Sequence, residues 1–192
     1  MSEPNAANLA IGAGNLWYAA IGSPEPAAGV LTPITSPATT VAWPSQWTQL
    51  GYTTDGNEFT FTPKLDPIEV AENLYVIKYV ASGVMVECTF DMAEITATHL
   101  ALALNGATLS SSGGITSLVP PILGSEKRIM LGWDRIDGLE RIIMRRCIQT
   151  AAVKQTHKKA PNLNTIPATF ALEVPTSGPT DLYTHYFDNS IG

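Results

Sequence analysis

Acidic residues at alternate positions are the first groups in this chain whose spacing suggests chemistry. Glu87 and Asp91, with Thr89 between them, share one face of an alternating segment. Two carboxylates beside a hydroxyl are the parts of a hydrolytic acid and base. Four residues of extended chain, however, set the carboxylates about 13 Å apart, farther than the roughly 5 to 9.5 Å spanned by paired catalytic carboxylates. The spacing describes a solvated acidic strand face, not an acid–base pair.

The other reactive groups are equally unpaired. Gly12-Ala-Gly14 starts like a dinucleotide loop, but Trp17 stands where the third glycine belongs and no strand precedes it. Gly124-Ser-Glu-Lys127 lacks both the first glycine and the Ser/Thr of a phosphate loop. His99, His157 and His185 are far apart and show no paired ligand spacing. Cys88 and Cys147 sit in apolar strand patterns, where a thiol packs as a small hydrophobe. The apolar setting of Cys88 also argues against a nucleophile with His99 as its base. The reading is a non-enzyme with no catalytic residue, no cofactor and no metal.

Basic residues gather late in the chain, as Arg128, Arg135, Arg141, Arg145 and Arg146. On a strand, Arg141 and Arg145 leave one face and Arg146 the other, so they form no single stripe for phosphate. Residues 1–100 hold ten acids against Lys64 and Lys78, a balance of −8, and the rest holds seven acids against nine bases, +2, within a total of −6. That asymmetry fits head-to-tail pairing between copies, with Arg141, Arg145 and Arg146 as inter-subunit candidates, an acidic functional surface, or no more than uneven solvation, and in each case disfavours attraction to nucleic acid.

A mainly β chain must position these residues. The segment Val76–Gly106 reads as a strand, a tight turn at Ser82-Gly83, a returning strand and a short helix. Val84, Val86, Cys88 and Phe90 form the apolar face of the returning strand, and Met85, Glu87, Thr89 and Asp91 form the other. Alanine and leucine from Thr96 onward favour helix, with Thr96 or Thr98 as cap and Asn105-Gly106 as the stop. Asp55-Gly56 predicts a hairpin turn between Trp47 and Thr62, Pro63 and Pro67 a break, and Asp137-Gly138 a second hairpin. Arg141–Arg146 is a strand by its β-branched isoleucines and adjacent turn. Asn15–Ile21 and Ile166–Val174 are further strands, and Thr180–Phe187 is an aromatic tail suited to a sheet edge.

Eight to ten strands and one helix predict a β-sandwich or barrel-like core with a short flanking α-helix. At 192 residues and 45% apolar content the chain has the size of one domain, 1–192. A Pro-rich loop at 22–46 and a C-terminal extension at about 175–192 depart from it, the loop carrying Pro24, Pro26, Pro33, Pro37 and Pro44. No run approaches the roughly 18 apolar residues of a membrane span, and no signal peptide is evident, so a soluble protein made in a cytoplasm is expected.

The order of these features resembles a known family. Leu16-Trp-Tyr-Ala-Ala-Ile-Gly22, the Pro-rich loop, Trp47-Thr-Gln-Leu-Gly-Tyr-Thr-Thr-Asp-Gly56, the acidic segment, Leu100-Ala-Leu-Ala-Leu-Asn-Gly106 and Ile166-Pro-Ala-Thr-Phe170 together resemble the major tail (tail tube) proteins of long-tailed bacteriophages. The resemblance implies hexameric rings sharing an inner β-barrel, the helix outside it, and rings stacked into a tube in the virion tail through which DNA is ejected. Four strands from each of six copies would give a backbone diameter of about 50 Å, wide enough for a duplex of about 20 Å. Glu87, Thr89, Asp91 and Glu69 are then the lumen-facing candidates. Trp43 and Trp47 join the arginines as inter-subunit candidates. The implied partners are the protein itself and other tail proteins such as tape measure and tail terminator proteins. DNA passes without specific binding and no membrane is involved. The alternative from another class is a monomeric β-sandwich that binds a ligand or decorates a virion through Trp43, Trp47 and exposed tyrosines.

The Pro-rich loop is expected to order against a neighbouring ring, so deleting residues 24–37 should leave a folded monomer that fails to polymerise. Electron microscopy of the deletion is the check, and normal tubes would refute it.

Overall fold

The computed structural model describes residues 14–26, 43–136, 140–155 and 164–187. The protein is mainly β, with one short helix among the described residues. The strands are β1 (Gly14–Ala20), β2 (Thr48–Gln49), β3 (Thr53–Val70), β4 (Asn73–Met92), β5 (Thr108–Ser112), β6 (Ile115–Val119), β7 (Ile129–Arg135), β8 (Glu140–Gln149), β9 (Ile166–Leu172) and β10 (Tyr183–Phe187), and the helix is α1 (Ala97–Ala103). The main sheet runs β2-β1-β7-β8-β9-β4-β3, and β5 and β6 form a separate hairpin. One edge of β8 faces β7; its other edge is divided, Glu140–Met144 pairing with β10 and Cys147–Gln149 with β9. The aromatic tail thus joins the sheet, as its sequence suggested.

Burial follows the alternation of the strands. Cys88, Phe90 and Met92 of β4, Ile166, Ala168 and Phe170 of β9, and Ile142, Met144 and Cys147 of β8 meet Leu16, Leu131, Leu102 and Ala103 in one core. Phe90 and Phe170 stack with ring centroids 5.8 Å apart. On the opposite face of β1, β7 and β8 a second cluster joins Ala19, Met130 and Ile143 to Trp43 and Trp47. Strand β8 is covered on both faces, so Arg141–Arg145 is buried without interruption. That double cover explains why Leu139–Thr150 shows no clean period of two.

Helix α1 is set by its ends. The Thr96 hydroxyl accepts from the His99 N–H at 3.1 Å, and Asn105 and Gly106 take φ of 55° and 86° to end the helix. A side chain at Gly106 would meet Lys127 at 2.7 Å. The Asn105 amide then exchanges two bonds of 2.9 Å with the backbone of Gln149, tying the helix end to β8.

Four expectations change. Ser82-Gly83 is not a turn. Strand β4 runs through it, Ser82 being an extra residue between the pairs Lys64↔Gly83 and Leu65↔Ala81, and the hairpin turns at Ala71-Glu72 instead. Asp55-Gly56 likewise lies inside β3 at a register shift between Thr53 and Asn57, with Gly56 at φ 83°. A glycine with positive φ serves a bulge as well as a turn. Pro63 and Pro67 do not break the chain either, because β3 is the last strand of the sheet and a proline is tolerated on an outer edge. Val84, expected in the core, is 49% exposed, since β4 has by then left the body. The Asp137-Gly138 turn and residues 27–42 of the Pro-rich loop lie outside the described residues. The strands flanking residues 137–139 pair antiparallel.

Past Val86 the β3–β4 ribbon pairs only with itself; β9 contacts β4 from Glu87 onward. Among the described side chains from Phe61 to Met85, all but Val76 are exposed. The two strands form an arm roughly 30 Å long.

Replacing Phe90 by Ala should destabilise the fold by about 3 to 5 kcal/mol, whereas Thr89→Ala, one residue along on the outer face, should be nearly neutral. Urea denaturation followed by tryptophan fluorescence measures both, and equal small effects would refute the assignment of faces.

Candidate functional site

The alternation that buries Cys88 and Phe90 turns Glu87, Thr89 and Asp91 outward. Across the ladder Glu87 faces Thr60 and Ala171, Thr89 faces Glu58 and Thr169, and Asp91 faces Pro167. The Thr89 and Thr169 hydroxyls hydrogen-bond at 3.2 Å, and Thr60 donates to the Glu58 carboxylate at 3.4 Å. Glu58, Glu87 and Asp91 thus set three carboxylates among hydroxyls on one sheet face, and none of them has an ion-pair partner among the described residues. Such a face repels phosphates. Glu58 was legible in the sequence, since it alternates with Phe59 and Phe61. Glu69 is not part of this group, for it lies at the far end of β3, about 30 Å from the residue opposite Glu87.

The arginines and tryptophans are engaged within the chain. Arg141 forms a forked pair with Asp134 and lies 4.7 Å from the centre of the Trp43 ring, whose indole N–H donates to the same carboxylate. Trp43 stacks on Trp17 and meets Trp47 at a tilt of 50°, and the Trp47 indole N–H donates to the Pro24 carbonyl at 2.9 Å. Arg145 forks onto Glu25 at 2.7 and 3.0 Å and also donates to Thr184. Arg146 and Arg128 converge on Glu173 at 2.8 and 3.2 Å. Both indoles are buried in the single chain, whereas Tyr52, Tyr75 and Tyr79 are exposed.

Both thiols are buried and two of the histidines are hydrogen-bonded within the chain, while His157 lies outside the described residues. Burial pushes the Cys88 thiol up to about 12, and Cys147 is raised by the same cause. His99 bonds the Glu94 carbonyl at 2.7 Å, and His185 bonds Glu140 at 2.6 Å. No group of three or more metal-binding side chains occurs among the described residues. A cleft lined by Ile21, Glu25, Arg145, Arg146 and Pro175–Pro179 has its two guanidiniums already bonded to Glu25 and Glu173. Among the described residues no helix is long and apolar enough to cross a membrane.

The described residues thus form a mainly β fold with a polar sheet face and an extended arm. A family model for phage tail tube proteins matches residues 1–170, and the chain belongs to that family of structural tail proteins. No curated protein matches the chain. Family membership places the protein in the virion tail, where it assembles with itself and with other tail proteins.

Hydrogen bonds from Arg128 and Arg146 hold the Glu173 carboxyl below its ordinary value of 4.5. A carboxyl depressed by folding adds stability that is complete above its unfolded pKa and is lost as pH falls through its folded one. Glu173→Gln should therefore flatten the acid-side fall of Tm, modestly because the carboxylate is a third exposed. Melting curves between about pH 5 and 3 test this, and an unchanged acid limb would refute it.

Proposed function

We propose that six copies of this chain close into a ring, that rings stack into the tail tube, and that the face bearing Glu58, Glu87, Thr89 and Asp91 lines the channel through which DNA leaves the particle. The observation that carries this reading is that face: three carboxylates and several hydroxyls, with no cation opposite them among the described residues, on the side of β3, β4 and β9 away from the core. A conduit for DNA must not hold it. Fixed negative charge repels phosphates over about 8 Å at physiological salt, and counterion release gives nothing to bind for. Ring closure also satisfies the backbone along sheet edges that a single chain leaves open. The role is non-catalytic, and tape measure and tail terminator proteins are the further partners. Glu69, on the arm, faces the channel only if the arm follows the tube axis.

Negative-stain microscopy of the purified chain should show hollow fibres or six-fold rings. A monomer at high concentration would favour the alternative of a separate binding or decoration module. The channel face has its own test, in particles carrying Glu87→Lys with Asp91→Lys. DNA release should slow or stall at low salt and recover at high salt, because phosphate–lysine contacts weaken steeply as salt rises. Assembled variants that eject at the normal rate at every salt concentration would refute the assignment of this face to the channel.

A further inference from the structure

The β3–β4 arm carries a surface that no charged residue accounts for. Phe61, Pro63, Leu65 and Pro67 of β3 leave one face, in line with Phe59 at the core. Across the ladder Val86, Val84, Ala81 and Tyr79 face the same way, the Ser82 bulge having shifted β4 by one residue. The core face therefore continues past the body with no cover among the described residues, and Phe61, Leu65 and Tyr79 are each more than half exposed. The opposite face interleaves Met85, Val80 and Ile68 with Thr62, Lys64, Asp66 and Lys78. Adding a strand along this stretch is unfavourable, because a proline enters a ladder only where its missing N–H points outward, and Pro63 and Pro67 remove those donors from the free edge of β3. The arm is suited to being covered through its face.

A second apolar feature lies elsewhere. Ile122 and Leu123, 81% and 94% exposed, stand at a turn in which the Ser125 N–H and hydroxyl both donate to the Ile122 carbonyl, at 2.9 and 2.6 Å. Pro120-Pro121 stiffens its approach, and a rigid turn loses little entropy on docking. We propose that the apolar face of the arm on one copy seats the Ile122–Leu123 turn of a second copy. A second copy is the occupant on three grounds. A tail tube chain assembles with itself. The arm and the turn are two different apolar surfaces, as a head-to-tail contact requires. And Glu69 and Glu72 at the arm's end complement Lys127, exposed just past the turn. The inference rests on the tube reading.

Leu65→Asp and Leu123→Asp test it against Ile68→Asp, which adds the same charge to the other face of the arm. All three should keep the parent's thermal midpoint, since none of these residues is in the core. The first two should lower the fraction of chain that pellets as tubes or rings by about ten-fold or more, and Ile68→Asp should preserve it. Should either Asp chain misfold, the decision falls to cysteines: Leu65→Cys and Leu123→Cys chains, mixed and oxidised during assembly, should give a mixed disulfide that neither chain forms alone. Tubes from both Asp variants at the parental level, or assembled mixtures without the mixed disulfide, would overturn the contact and leave the tube reading intact. A parent chain that stays monomeric at every concentration would overturn both.

Discussion

Phe90 of β4 stacks on Phe170 of β9, and the packing around this pair decides the orientation of every side chain on the strands that carry it. Because the pleat has a period of two, fixing Phe90 inward also fixes Cys88 and Met92 inward and Glu87, Thr89 and Asp91 outward. A slip of β4 by one residue would bury the carboxylates and expose Phe90, at a cost of many kcal/mol. The acidic face is thus a direct consequence of the core. The Thr89–Thr169 hydroxyl contact across the same ladder holds the outer surface in step with the inner one.

The other half of the sheet is organised by a different constraint. Strand β8 is covered on both faces, yet it carries three arginines, and a guanidinium taken from water must find fixed acceptors. Each does. Asp134 comes from the neighbouring strand, Glu25 from the segment after β1, and Glu173 from the end of β9. The ion pairs join distant parts of the chain where β10 and β9 divide the edge of β8. They also hold Pro24 and Glu25 against the body, so a deletion beginning at residue 24 would take from the buried Arg145 its carboxylate partner and leave it only Thr184 and the Asp181 carbonyl. One confined to residues 27–37 isolates the role of the loop.

Against these satisfied interiors the β3–β4 arm stands apart. Its apolar face lies outside the core, its outer edge carries prolines, and its ladder continues well beyond the last contact with β9. Exposed apolar surface of this extent belongs to a chain that meets partners. In a family of tail tube proteins the partners include further copies.

The sequence by itself determined the features that are local in origin. Period-two alternation in Val86–Asp91 separated the buried from the acidic face, and Thr96 with Asn105-Gly106 bounded the helix, because pleat and cap geometry involve only neighbouring residues. The mainly β class and the family were legible from the order of such segments. Tertiary structure decided whatever depends on what lies across a ladder or over a face. Asp55-Gly56 and Ser82-Gly83 became bulges: positive φ at Gly56 fits a bulge or a turn, and at both sites only the opposite strand chooses between them. Pro63 and Pro67 stayed within a strand because that strand is an edge. Val84 was exposed although it continues the pattern of Val86, because nothing packs above it. The partners of Arg141, Arg145 and Arg146 were not legible either: Glu25 is 120 residues from Arg145 in the chain, and only folding brings them to 2.7 Å.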